Sequence, residues 1–87
     1  MINWTKTIED GTYEVHMSTN HADPLVYAEI VIDHESITEK YTALKCTIDD
    51  NDPKRDIDYD NLGFFGTWDE ARKHCEAEVV HTVRIAR

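Results

Sequence analysis

The stretch LVYAEIVID, residues 25–33, decides the fold class. Val26, Ala28, Ile30 and Ile32 alternate with Tyr27, Glu29 and Val31, which is the two-residue period of a strand with a continuous apolar face. Working outward toward the start of the chain, residues 2–17 read as two further short strands around Glu9-Asp10-Gly11, because Asp-Gly between alternating runs is a hairpin signal. Trp4 and Ile8 fall on one face of the first; Tyr13, Val15 and Met17 alternate with Glu14 and His16 in the second. Working outward in the other direction, Ser36 to Ile48 has two readings. Ser36 with Glu39 mimics a capping box, and Ile37, Tyr41 and Leu44 have helical spacing, yet Leu44, Cys46 and Ile48 alternate with Ala43, Lys45 and Thr47. A turn over residues 35–40 followed by a fourth strand is favoured.

Residues 49–60, DDNDPKRDIDYD, hold six aspartates against Lys54 and Arg55 and are interrupted by Pro53, so they read as a long exposed loop. GTWDEARKHCEAEVV, residues 66–80, then starts a helix: Thr67 is placed to cap it, Glu70 follows three residues on, and Asp69 puts negative charge at its positive end. Trp68, Ala71, Cys75, Val79, Thr82, Val83 and Ala86 form its apolar stripe, and Arg84 and Arg87 suit its C-terminal end. The β-branched residues beyond Glu78 leave a last strand as the alternative for that segment. The expectation is one α+β domain spanning residues 1–87, with an antiparallel sheet of about four strands and one C-terminal helix packed on one face. Trp4, Val15, Ile30, Ile32, Leu44, Trp68, Cys75 and Val79 are its expected core.

Eighty-seven residues leave no room for separate cofactor and substrate domains. Eighteen acidic residues against nine basic ones give a net charge of -9, which argues against direct binding of nucleic acid or anionic lipid. No apolar run approaches the ~20 residues a spanning helix needs. Two cysteines are too few for a disulfide framework, and the opening residues carry no secretion signal, so a cytoplasmic location is expected.

Chemistry-bearing motifs are sparse. His16, His21, His34, Cys46, His74, Cys75 and His81 offer no paired spacing that would bring two ligands to one tetrahedral ion, and Cys46 and Cys75 fall on expected core faces. Asp56, Asp58, Asp60 and Gly63 match part of a calcium loop, but Asn61 stands where the sharp turn wants glycine, and Thr67 where the loop closes with glutamate. There is no nucleophile elbow and no glycine-rich phosphate cradle. No enzymatic activity, cofactor or metal site is therefore expected.

The distribution of acids is more informative, since the first 71 residues hold 16 acids and 5 bases, and the last 16 hold 2 and 4. Carboxylates at every second residue of extended chain, as in Asp56, Asp58 and Asp60, are spaced roughly 6–7 Å apart, close to phosphates along a nucleic-acid strand. The candidate partner-binding residues are Asp49, Asp50, Asp52, Asp56, Asp58 and Asp60, extended by Glu14 and Glu29 on outward strand positions, with Tyr27 and Tyr59 as aromatic anchors. Ordinary solubilising charge is the plainer reading of the same residues.

With its short length, strand-rich first part, acidic run DDNDPKRDIDYD and helix entry GFFGTWDEARKHCEAEV at residues 63–79, the chain resembles small acidic proteins of bacteriophages and mobile elements, the anti-CRISPR and anti-restriction type. The resemblance implies a stoichiometric inhibitor that mimics nucleic acid and blocks a basic channel of a host nuclease or CRISPR effector, in the host cytoplasm for a phage-encoded chain. It transfers no functional residue. The alternative is a small structural or regulatory interaction subunit, monomer or homodimer, that uses exposed Phe64 and Phe65 or an open sheet edge.

Overall fold

The computed structural model describes residues 2–19 and 25–81. Five strands, β1 (Asn3–Asp10), β2 (Tyr13–Thr19), β3 (Val26–Asp33), β4 (Tyr41–Ile48) and β5 (Ile57–Phe65), precede one helix, α1 (Trp68–His81). The strands form a single antiparallel sheet in the order β1-β2-β3-β4-β5, each pairing with its chain neighbour. The α+β class is as expected, with one strand more: residues 57–60, read as loop from their aspartates, belong to β5. Ile57 pairs with Ile48 and Asp58 with Thr47, so the ladder of β4 recruits a segment whose composition alone argues against a strand. Ser36 caps no helix; its Oγ accepts the Glu39 amide at 3.0 Å inside the β3–β4 turn. Gly11 opens the two-residue β1–β2 turn at φ +58, the backbone a hairpin loop with glycine in its first position requires.

Helix α1 begins as anticipated, with the Glu70 amide donating to Thr67 Oγ1 at 3.2 Å. It stays helical through Val79 and Val80 to His81 despite their β-branched side chains, because its stripe Ala71, Cys75 and Val79 is buried against Val26, Ala28, Ile30, Ile32 and Ala43. The expected continuation of the stripe at Thr82, Val83 and Ala86, the basic end at Arg84 and Arg87, and His21 lie outside the described residues.

Two expectations need correction: Ile8 does not share the face of Trp4, and Leu44 does not lie under the helix. Two β-bulges interrupt the sheet, one at Thr7, between the pairs Lys6–His16 and Ile8–Val15, and one at Leu62, opposite Ala43 and Leu44. One inserted residue turns the rest of a strand over. Trp4 therefore lies on the helix side with its partner Ser18, while Ile8 lies with Val15 on the opposite face. Val15 pairs with Val31 and is buried, but away from the helix; His16, opposite Ile30, takes the helix side. In β4, Leu44 pairs with Glu29 on the far face, and Ala43, fully buried opposite Ile30, takes the core position expected of Leu44. Cys46 is likewise buried on the face away from Cys75.

Helix α1 lies over β3, β4 and β5, and reaches the β1–β2 hairpin through side chains. Trp68 packs edge-on against Trp4, with centroids 5.5 Å apart, and against His16 at 4.9 Å. Trp4 Nε1 donates to Glu76 Oε2 at 2.9 Å, and Arg72 holds the other oxygen at 3.1 Å. Buried Ser18 extends the β2–β3 ladder with its side chain, accepting the Ala28 amide at 2.8 Å and donating to the Ala28 carbonyl at 3.2 Å.

Candidate protein-binding surface

The loop joining β4 to β5 uses several of its aspartates to hold its own shape. Asp49 accepts the Asn51 amide at 3.0 Å and Asp52 the Lys54 amide at 2.9 Å, the short side-chain turns for which aspartate is suited. Pro53 occupies the second position of the turn closed by the Arg55 amide on the Asp52 carbonyl. Arg55, at φ 52, brings its guanidinium to 3.5 Å from Asp50. The Lys54 amide, and then the Asp56 carboxyl, hold the Asp52 carboxyl below its ordinary range, and the contact with Asp52 pushes the Asp56 carboxyl above its own.

Asp58 and Asp60 stand differently. Both are exposed on the edge strand β5, on the helix side of the sheet, at the two-residue spacing read from the sequence. Asp60 has Lys45 at 3.9 Å across the ladder, a distant exposed pair of small energetic weight. Tyr59 lies between them but on the other face, directly across from Cys46, which in turn faces Tyr27. The expected aspartate row and its aromatic anchor are thus divided by the sheet.

The strand acids divide as well. Glu29 shares the face of Tyr27 and Tyr59, where Cys46 Sγ donates to its Oε1 at 3.6 Å. Burial, followed by the charge of Glu29, pushes the Cys46 thiol up to about 12, and burial does the same for Cys75. Both thiols are buried, and this burial favours their protonated form. Burial also raises Tyr27. Among the described residues, no group of three or more His, Cys, Asp or Glu is placed to hold a metal ion, and no helix is long and apolar enough to cross a membrane.

Glu14 points to the helix side and is occupied there. Its carboxylate accepts from His34 Nε2 at 2.5 Å, while Lys6 Nζ lies 3.2 Å and His16 Nε2 3.4 Å away. Lys6 also meets Glu9 at 2.7 Å. The bond from His34, then that from Lys6, holds the Glu14 carboxyl at about 2, below its ordinary 4.5. A carboxyl lowered on folding binds its proton more readily in the unfolded chain. Its contribution to stability is therefore complete above about pH 4.5 and is lost as the pH falls toward 2. An acid titration followed by circular dichroism should show stability falling through this window, and Glu14→Gln should flatten that part of the curve. An unchanged slope would mean the cluster is not formed in solution.

The pairing of Glu14 with His34, and the Tyr27–Cys46–Tyr59 row, are absent from the expectations drawn on sequence. The parity of β3 already places Tyr27 and Glu29 opposite Ile30, but the row needs the pairing partners of β4 and β5. Comparison with family models, with curated proteins and with solved structures finds no match to the chain.

Proposed function

We propose that the protein is a binding module that docks the carboxylate edge of β5 and the preceding loop on a basic surface of a protein partner, as a nucleic-acid mimic occupies a channel built for phosphates. The observation that carries this reading is the exposed pair Asp58 and Asp60, on one face of an edge strand at roughly 6–7 Å spacing, with Asp56 immediately before them. A host nuclease or CRISPR effector is the class of partner with such a channel. The net charge of -9 favours rapid, steered association with a basic surface. No catalytic role is assigned to any residue.

The experiment is capture of partners from a host lysate with the tagged protein, then measurement of association rate and affinity at low and high salt. Changing Asp56, Asp58 and Asp60 together to asparagine should slow association by about tenfold or more and reduce its salt dependence. Unchanged binding by the triple variant would overturn the reading. A second reading, a homodimeric interaction subunit, is favoured by one observation: Phe64 is half-exposed on the sheet face away from the helix. Phe65, expected to be exposed beside it, instead packs on the core and on His74. A dimer that persists in high salt, seen by light scattering, would support this alternative.

A further inference from the structure

Helix α1 covers one face of the sheet, and among the described residues no other helix or strand lies over the opposite face. Among the described residues, that face carries four of the five exposed large hydrophobic side chains: Ile8 at 48% exposure, Tyr13 at 39%, Tyr59 at 56% and Phe64 at 49%. They do not stand singly. Val15 and Cys46, on the same face, are almost fully buried, and they pair across the ladder with Ile8 and Tyr59. An exposed apolar layer across a sheet is the usual mark of an interaction surface.

Its charge identifies what it suits. Glu29 sits on the central strand between Met17 and Leu44, its cross-strand neighbours, and among the described residues its side-chain hydrogen-bond donor is the weak Cys46 thiol. Glu29 makes no ion pair among the described residues. Asp10 and Asp33 flank Tyr13 at the end of the same face. The two lysines of the strands, Lys6 and Lys45, pair with His16 and Ala28, and so lie on the helix side. The uncovered face thus has apolar and aromatic surface, an acidic centre and no strand cation. A second copy is a poor cover, because stacking two such faces would bury Glu29 of each without a counter-charge.

We infer that the uncovered sheet face docks a basic amphipathic segment of a partner protein, whose apolar side chains cover Ile8, Val15 and Phe64 while an arginine or lysine meets Glu29 beside Tyr27 and Tyr59. Arginine suits the site best, since its guanidinium both pairs with a carboxylate and stacks on tyrosine rings. This surface lies on the opposite side of the sheet from Asp58 and Asp60, so the inference stands or falls independently of the carboxylate edge.

The test uses a synthetic amphipathic helix of about 18 residues, roughly 27 Å long, with leucine on one face and arginine on the other, titrated into the isotopically labelled full chain. The expected result is that backbone amide shifts concentrate at Ile8, Val15, Tyr27, Glu29, Tyr59 and Phe64. Glu29→Gln and Phe64→Ser should each weaken binding about fivefold or more, while Asp58→Asn with Asp60→Asn leaves it within about twofold. Thermal melts of each variant confirm folding. Shifts confined to the Asp58–Asp60 edge, equal binding by Glu29→Gln, equal binding of a peptide with glutamate for arginine, or no binding at millimolar peptide would each overturn the inference. So would a concentration-dependent dimer whose contacts fall on this face, since the occupant would then be a second copy.

Discussion

Replacing Ile30 by alanine is expected to lower the melting temperature by about 15–25 °C. Ile30 is fully buried on the central strand, between His16 and Ala43 and beneath the helix stripe. Removing its branched side chain costs about 2–5 kcal/mol in transfer and cavity terms. The upper part of that range applies, because Ala28, Ala43, Ala71 and Cys75 are small and have nothing to swing into the space. A domain of this size has a total stability of roughly 4–13 kcal/mol, so ~3–4 kcal/mol is a large fraction of it. Calorimetry measures the shift directly. Ile30→Val, which removes one methylene, should cost only about 1 kcal/mol. A loss below about 5 °C for the alanine variant would mean that the helix does not pack where these contacts place it.

Trp68→Ala is expected to have a comparable total cost, about 3–4 kcal/mol, but a different distribution through the molecule. Trp68 links the helix to the β1–β2 hairpin through Trp4 and His16, whereas the helix backbone lies over β3, β4 and β5. Its loss should therefore loosen the hairpin first. Amide exchange in Trp4–Lys6 should accelerate more than in Ala28–Ile30, and a uniform acceleration across the sheet would contradict this placement. Trp4→Phe provides the finer comparison. It keeps an aromatic ring against Trp68 but removes the indole donor to Glu76, and should cost about 1.5–3 kcal/mol as a bond to a charged acceptor.

Much of the fold was legible because its signals are local. Val26 to Ile32 alternate without interruption, and Thr67 with Glu70 announces the helix; each pattern depends only on residues a few positions apart. The candidate surface was less legible. Asp58 and Asp60 keep the spacing their sequence positions imply, because β5 is extended, but Tyr59 faces away from them for the same reason. Glu14 reads as an outward acid, yet its position opposite Ile32 in the ladder, with His34 brought back by the β3 turn, makes it the centre of a charge cluster. Nothing within a few residues of Glu14 signals His34, twenty positions later.

Alone, the sequence determined the α+β class, the hairpin at Gly11, the alternating core strand, the start of the helix and the concentration of acid before residue 72. All of these follow from side-chain period, capping chemistry and composition, which short stretches of chain express by themselves. Tertiary structure decided which side of the sheet each residue occupies. The bulges at Thr7 and Leu62 each insert one residue into a pattern of period two, so Ile8 lies on the face opposite Trp4, and no local pattern marks where they occur. Pairing with β4 also made Ile57–Asp60 a strand against its composition, because ladder hydrogen bonds and cross-strand contacts outweigh a local preference worth at most ~1 kcal/mol per residue. The result is a sheet with a helix and a carboxylate edge on one side and, on the other, an apolar face with Glu29 at its centre.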